Sequence, residues 1–324
     1  MNVASEPTGA IRHILVPLDG SGLAEAAMPV AVTLARATGA TLVLAHVTSN
    51  LTWAFAAETG LTSAKVYDDL LAGEDAAAAG YLMRRHATLP PDVAAVMLHV
   101  RGDVAVRLLT LIEQQAIDLV VMTTHGYTGL RRFTLGSVAD RLARAGAAPV
   151  LLLRSFESAA AAGSLEHALI PLDGSAHADS ALIILEPLVG TLVRQVTLVR
   201  VIGPSESDAV AAEVEAALHA VRDRLQQAWG ERGCAVDVSV LRGQPAQEII
   251  GQAGKLGAFI VMATRGQTGW TRWTMGSVAD RLLQGATAPL LLVNPRSAAT
   301  ARLAAREREE QHDHEDTQQA PFST

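Results

Sequence analysis

The chain has 324 residues, a formal net charge of −7, 49% hydrophobic, 18% charged and only 4% aromatic residues. That length predicts two domains with cores of Ala, Val and Leu, and the acidic balance argues against nucleic acid as the main partner. A lone cysteine, Cys234, excludes an internal disulfide, and neither a basic-apolar leader nor an apolar run of roughly 18 residues is present, so a cytoplasmic protein with no membrane partner is expected.

In chain order, short apolar strands alternate with longer helical patterns. The first half reads IRHILVPL, ATLVLAHV, DVAAVMLHV, AIDLVVMTT and APVLLLR as strands. Between them lie GLAEAAMPVAVTLARATG, a stretch around Asp68 to Ala87, DVAVRLLTLIEQQ and SVADRLARAG as four helices. Near-continuous apolar strands separated by helices predict parallel βαβ units in an α/β fold with helices on both sheet faces.

The second half repeats that order. HILVPLDGS matches ALIPLDGS, TLVLAHV matches VTLVRV, and GYTGLRRFTLGSVADRL (126–142) shares twelve of seventeen letters with GQTGWTRWTMGSVADRL (266–282). The offset is 154 residues at the Asp-Gly-Ser corner and 140 at the glycine-rich stretch, so the first half carries about fourteen additional residues, most of them after Val47. Domains are expected at 11–154 and 166–295, joined by a small-residue linker at 155–165 and flanked by flexible segments at 1–10 and 296–324. His312 and His314 in the tail have no framework for a metal, and Cys234 in CAVDVSVL reads as strand packing.

In open α/β sheets, ligands bind beyond the carboxyl ends of the strands where strand order reverses. Asp19 and Asp173 end the first strand of each half, placed either to accept hydrogen bonds from a ribose hydroxyl or base amine or to cap the next helix. Gly136-Ser137-Val138 and Gly276-Ser277-Val278 open the last helix of each half. There, unpaired backbone N–H groups and the positive helix pole suit a polyphosphate, and a serine N-cap behind a glycine spacer is the plainer alternative. Gly126 and Gly266 permit close backbone approach, whereas Gly129 and Gly269 read as turn formers. His125, Arg265, Arg132 and Arg272 could assist an anion or simply face solvent, and Trp270 and Trp273 read as packing residues. Walker A and G-x-G-x-x-G patterns are absent. DGSAHADS in the second half has no counterpart histidine at Leu23, which excludes a shared Ser-His-Asp triad.

These doubled motifs resemble the universal stress protein family, as a tandem pair covering nearly the whole chain. The resemblance implies two Rossmann-like (adenine nucleotide α-hydrolase-like) domains, each with a five-stranded parallel sheet. It implies adenine and ribose near Pro17, Asp19, Val47 and Met122, and phosphates near Gly126, Gly136, Ser137 and Val138. In the second half it implies Pro171, Asp173, Val201, Met262, Gly266, Gly276, Ser277 and Val278. The ligand would be ATP, or AMP or ADP, with or without Mg. Thr123 and Ala263 replace the first glycine of the family's Gly-x-x-Gly, which makes the second site sterically the safer. The fifth strands are expected to pair across a pseudo-dimer axis within the chain, with a homodimer as a further step. The expected role is a nucleotide-responsive stress regulator and not an enzyme; a slow ATPase or phosphotransferase and a nucleotide-independent assembly module are the alternatives.

Overall fold

The computed structural model describes residues 11–49, 64–124, 135–154, 165–175, 180–264, 275–295, 297 and 299–301. Lobe one runs β1 (His13–Leu18), α1 (Gly22–Glu25), α2 (Met28–Thr38), β2 (Thr41–Thr48), α3 (Ala64–His86), β3 (Ala95–Arg101), α4 (Val104–Gln114), β4 (Leu119–Thr123), α5 (Ser137–Ala145) and β5 (Val150–Leu153). Lobe two runs β6 (His167–Pro171), α6 (Ser180–Leu185), a 3₁₀ turn (Glu186–Leu188), β7 (Gln195–Ile202), α7 (Asp208–Trp229), β8 (Ala235–Arg242), α8 (Pro245–Leu256), β9 (Phe259–Ala263), α9 (Ser277–Gly285) and β10 (Leu290–Val293).

The first helical pattern breaks into two helices where a single one is expected. Pro29 has no N–H to continue the ladder, and its ring collides with the carbonyl four residues back, that of Glu25, where α1 stops. Pro187 acts likewise in lobe two, where α6 gives way to the 3₁₀ turn.

The ten strands form one sheet in the order β3-β2-β1-β4-β5-β10-β9-β6-β7-β8. Within each lobe the pairing is parallel, and β1 and β6 each lie between a strand that follows directly and one that returns after two crossovers. The strand order therefore reverses beside β1 in lobe one and beside β6 in lobe two. All five residues of β4 (LVVMT) and of β9 (FIVMA) are buried, as expected for strands covered on both faces.

Successive strand residues serve opposite faces, so Ile14 and Leu15 belong to different core layers. Each layer runs through both lobes: Val16, Val121, Leu151, Leu291 and Ile170 share one, and Val43, Leu152, Leu290 and Ile260 the other. The joint is the antiparallel pair β5–β10, with Leu151 opposite Leu291 and Leu152 opposite Leu290. The two fifth strands thereby cover each other's apolar edges inside the chain.

Polar contacts cross the same joint. Arg154, just past β5, donates to the Leu282 carbonyl at 3.0 Å and to that of Leu283, at the end of α9. Asn294, just past β10, donates to the Gly146 carbonyl at 3.0 Å, at the end of α5. Each lobe thus satisfies the terminal carbonyls of the other lobe's last helix. Burial pulls the Arg154 guanidinium down to about 10.

Several expectations fall on residues outside those described: the segments 1–10 and 155–164, the tail from 302, and most of the additional segment after Val47. Leu165, the last residue of the expected linker, is buried in the core. Past residue 295, Ser297, Ala299 and Thr300 are also buried, with the Ser297 hydroxyl accepting from the Thr300 N–H at 3.0 Å. Cys234 is buried, and desolvation raises its thiol above the ordinary range, in keeping with a packing role. No helix among the described residues is long and apolar enough to cross a membrane.

Candidate functional site

At each strand-order reversal, the chain leaves the first strand through Asp-Gly-Ser. Asp19 Oδ1 accepts from the Ser21 N–H at 2.9 Å and from the Ser21 hydroxyl at 2.6 Å. Asp173 Oδ1 accepts from Ser175 in the same way, at 3.0 and 2.6 Å. Asp19 is therefore not the cap of α1. Ser21 is, its hydroxyl accepting from the Ala24 N–H at 3.1 Å, while the aspartate shapes the turn.

The helix starts also differ from the plain alternative of a serine cap. Gly136 and Gly276 are the N-caps of α5 and α9, in extended conformation and with no side chain to pair the first N–H groups; Ser137 and Ser277 are already the first helical residues. The first helical bonds return from Asp140 to Gly136 and from Asp280 to Gly276, both at 2.9 Å. The N–H of Gly136 donates to the Thr124 carbonyl at 2.7 Å and that of Gly276 to Thr264 at 2.8 Å, fixing each helix start against the end of β4 or β9. Such a terminus presents donors and positive potential to whatever lies in front of it.

What lies in front is a crevice in each lobe. Crevice one has a cavity volume of about 250 Å³ and brings together Pro17, Asp19, Val47, Met122, Gly136, Ser137 and Val138. Crevice two has a cavity volume of about 160 Å³ and brings together Pro171, Asp173, Val201, Met262, Gly276, Ser277 and Val278. Gly126 and Gly266, together with His125, Arg132, Arg265, Arg272, Gly129, Gly269, Trp270 and Trp273, lie outside the described residues. Thr123 and Ala263, the departures from the glycine pattern, line their crevices, and the threonine side is not the smaller one.

Sequence reasoning missed several lining residues. Val104 and Leu108 of α4 wall crevice one, and Pro245 and Ile249 of α8 wall crevice two. Their i, i+4 spacing at the start of the helix after the third strand was the available signal. Arg200 of β7, lining crevice two, was also missed. Its counterpart in β2 is His46, since Leu18 aligns with His46 and Leu172 immediately precedes the Asp173 turn as Leu18 precedes Asp19.

His46 does not line crevice one. Its Nδ1 meets the Leu18 carbonyl at 2.7 Å and its ring packs toward α3, with ring centres 5.4 Å from Tyr81 and 6.0 Å from His99. The Tyr81 phenol is pushed well above its ordinary range, by burial first and the nearby Glu25 carboxylate second. His99 contacts Asp75 at 3.3 Å and the Thr48 hydroxyl at 3.0 Å, and burial lowers its pKa.

One cation links the two helix starts. Arg144, in the last turn of α5, pairs with Asp140 at 2.7 Å and, across the joint, with Asp280 in the first turn of α9 at 2.6 Å. It offsets two carboxylates that would otherwise oppose an anion at these termini.

The description "Universal stress protein family" matches the chain twice, over residues 10–154 and 165–294. A universal stress protein of Mycolicibacterium smegmatis is 29% identical over 201 residues, which cover 58% of this chain and 65% of that protein. The universal stress protein MJ0531 of Methanocaldococcus jannaschii is 38% identical over 88 residues, covering 27% of this chain and 49% of its own length. The matches thus span less than two thirds of these two relatives. The crystal structure of a universal stress protein from Archaeoglobus fulgidus shares the fold with a TM-score of 0.66 at 18% identity, covering 87% of this chain and 98% of that one. The repeated strand-end aspartate, the repeated uncapped helix start and the double family match have one reading: the chain belongs to the universal stress protein family, as a tandem of two such domains.

Proposed function

We propose that the protein binds ATP or a related adenine nucleotide in its two crevices and acts as a nucleotide-responsive stress regulator in the cytoplasm, not as a catalyst. In this reading the functional units are residues 11–154 and 166–295, with 155–165 between them. The observation that carries it is the pairing, at both strand-order reversals, of an oriented aspartate with a helix start whose cap is a glycine. The aspartate serves a sugar hydroxyl or base amine, the apolar walls around Met122 and Met262 hold a purine, and the N–H groups at Ser137–Ala139 and Ser277–Ala279 receive phosphate.

Asp19 and Asp173 already accept from serine hydroxyls 2.6 Å away, an arrangement suited to holding a turn and a ligand hydroxyl more than to taking a proton in a reaction. Among the described residues no group of three His, Cys, Asp or Glu is arranged to hold a metal. An accompanying Mg would therefore be held chiefly by the nucleotide's own phosphates and by water, with Ser137 or Ser277 within the same crevice.

Calorimetric titration of the full chain with ATP tests the reading. The expected result is saturable binding that weakens about tenfold or more in the Asp19→Ala, Asp173→Ala double variant. Binding should be lost in the Gly136→Asp, Gly276→Asp double variant. Aspartate is a favourable N-cap, so that variant keeps its helices while occupying the free donors and repelling phosphate. ATP binding indifferent to both double variants would overturn the assignment.

A further inference from the structure

The two crevices share their walls but not their charge. Among the described residues lining crevice one, Asp19 is the charged side chain; crevice two has both Asp173 and Arg200.

The placement of Arg200 is specific. It is half-buried, and its Nη1 lies 3.4 Å from the Leu172 carbonyl, a long contact that leaves most of its donors for other partners. The guanidinium lies against the Asp-Gly-Ser turn: a Cβ built on Gly174 would fall 2.8 Å from Nη1. The equivalent position in lobe one, Gly20, has nothing within 4 Å. His46 reaches the matching carbonyl of Leu18 but then turns away toward Tyr81 and His99, so the space that Arg200 fills in lobe two is open in lobe one.

A guanidinium is charged at any physiological pH and presents a planar fork of donors suited to phosphate oxygens. Lining the same crevice as a helix N-terminus, it adds a side-chain cation to the backbone donors. We propose that Arg200 makes crevice two the site selective for the phosphorylated, anionic form of the ligand. Crevice one, with its backbone donors alone, then discriminates less sharply between a nucleotide and its uncharged nucleoside. This rests on the reading that the crevices hold adenine nucleotides, and it makes the two sites unequal in ligand class.

The experiment isolates one crevice at a time in the full chain, using Val47→Trp to fill crevice one or Val201→Trp to fill crevice two, since both valines line their crevices, and titrates each with ATP and with adenosine. With crevice one closed, Arg200→Ala is expected to weaken ATP about tenfold and leave adenosine within about twofold, with Arg200→Lys in between. With crevice two closed, His46→Arg is expected to tighten ATP and not adenosine. Circular dichroism and melting curves confirm that each variant is folded, and the lysine variant keeps the test valid should the alanine variant unfold. An unchanged ATP affinity in the Arg200 variants overturns the inference alone, as does an equal loss for ATP and adenosine, which would make Arg200 a wall and not a charge reader. No ATP binding by the unaltered chain overturns the nucleotide reading and this inference with it.

Discussion

The lobes repeat one architecture but secure their long helices differently. In lobe two, α7 ends on Trp229, which is 1% exposed and donates through Nε1 to Glu186 at 2.5 Å. Arg232 closes the arrangement, reaching Glu186 and the carbonyls of Glu186 and Val189 at 2.6–2.7 Å. In lobe one, α3 buries Ala78 and Leu82 and, in place of a tryptophan anchor, carries ion pairs: Arg101 of β3 binds Glu74, Asp75 and the Leu71 carbonyl, and Arg85 binds Glu25 of α1. A fold can therefore be kept while its fastening changes from an aromatic anchor to an ion-pair network, and the two lobes should respond differently to cavities, backbone strain and pH.

The largest expected effect comes from removing the anchor. Trp229→Ala deletes a fully buried aromatic side chain and leaves a cavity between α7 and the sheet, which costs about 3–5 kcal/mol. Hydrogen exchange read by mass spectrometry should show protection lost in β7, α7 and β8 first, with β1–β3 following only as far as the continuous core transmits the change. Equal loss in both lobes would show that the joint at β5–β10 makes them a single cooperative unit.

Next in size is a paired glycine test. Gly20 and Gly174 both sit at positive φ, +85° and +77°, so alanine is strained at either. Only Gly174→Ala also displaces the Arg200 guanidinium. It should cost about 2 kcal/mol against about 1 kcal/mol for Gly20→Ala, by denaturant unfolding. Identical costs would mean that Arg200 moves freely and is not seated against the turn.

How much of this was legible follows from the range of the interactions. The parallel sheet and the order of elements lie where local patterns put them; of the sixteen residues expected at the sites, fourteen line the two crevices, and Gly126 and Gly266 fall outside the described residues. Apolar runs and strand-end turns are short-range signals. The break at Pro29 was readable in principle from the missing N–H, but the amphipathic run around it masked it. That Gly136, and not Ser137, is the cap depends on backbone angles that sequence does not display. The crossed caps of Arg154 and Asn294 join residues more than a hundred positions apart, and nothing local marks them. Arg200 was visible only as a mismatch between TLVLAHV and VTLVRV. Its importance needed the knowledge that His46 turns away.

The smallest effect separates the lobes by acid. Among the described residues, each has one histidine whose pKa is lowered chiefly by burial: His99 in lobe one and His167 in lobe two. Around His99, Asp75 and Glu74 oppose that shift and His46 and Arg101 add to it; around His167, Asp237 opposes it. A lowered histidine pKa means that the folded state favours the neutral ring. Stability is then complete above the unfolded value of 6.5 and falls as the pH drops from there through the folded pKa, because the unfolded chain takes up the proton more readily. Each histidine contributes a slope of at most about 1.4 kcal/mol per pH unit. His99→Gln should flatten the acid loss of protection in β2, β3 and α3 and leave β6–β8 as before, and His167→Gln should do the reverse. An acid slope in lobe one that survives His99→Gln would show that His99 is not its source.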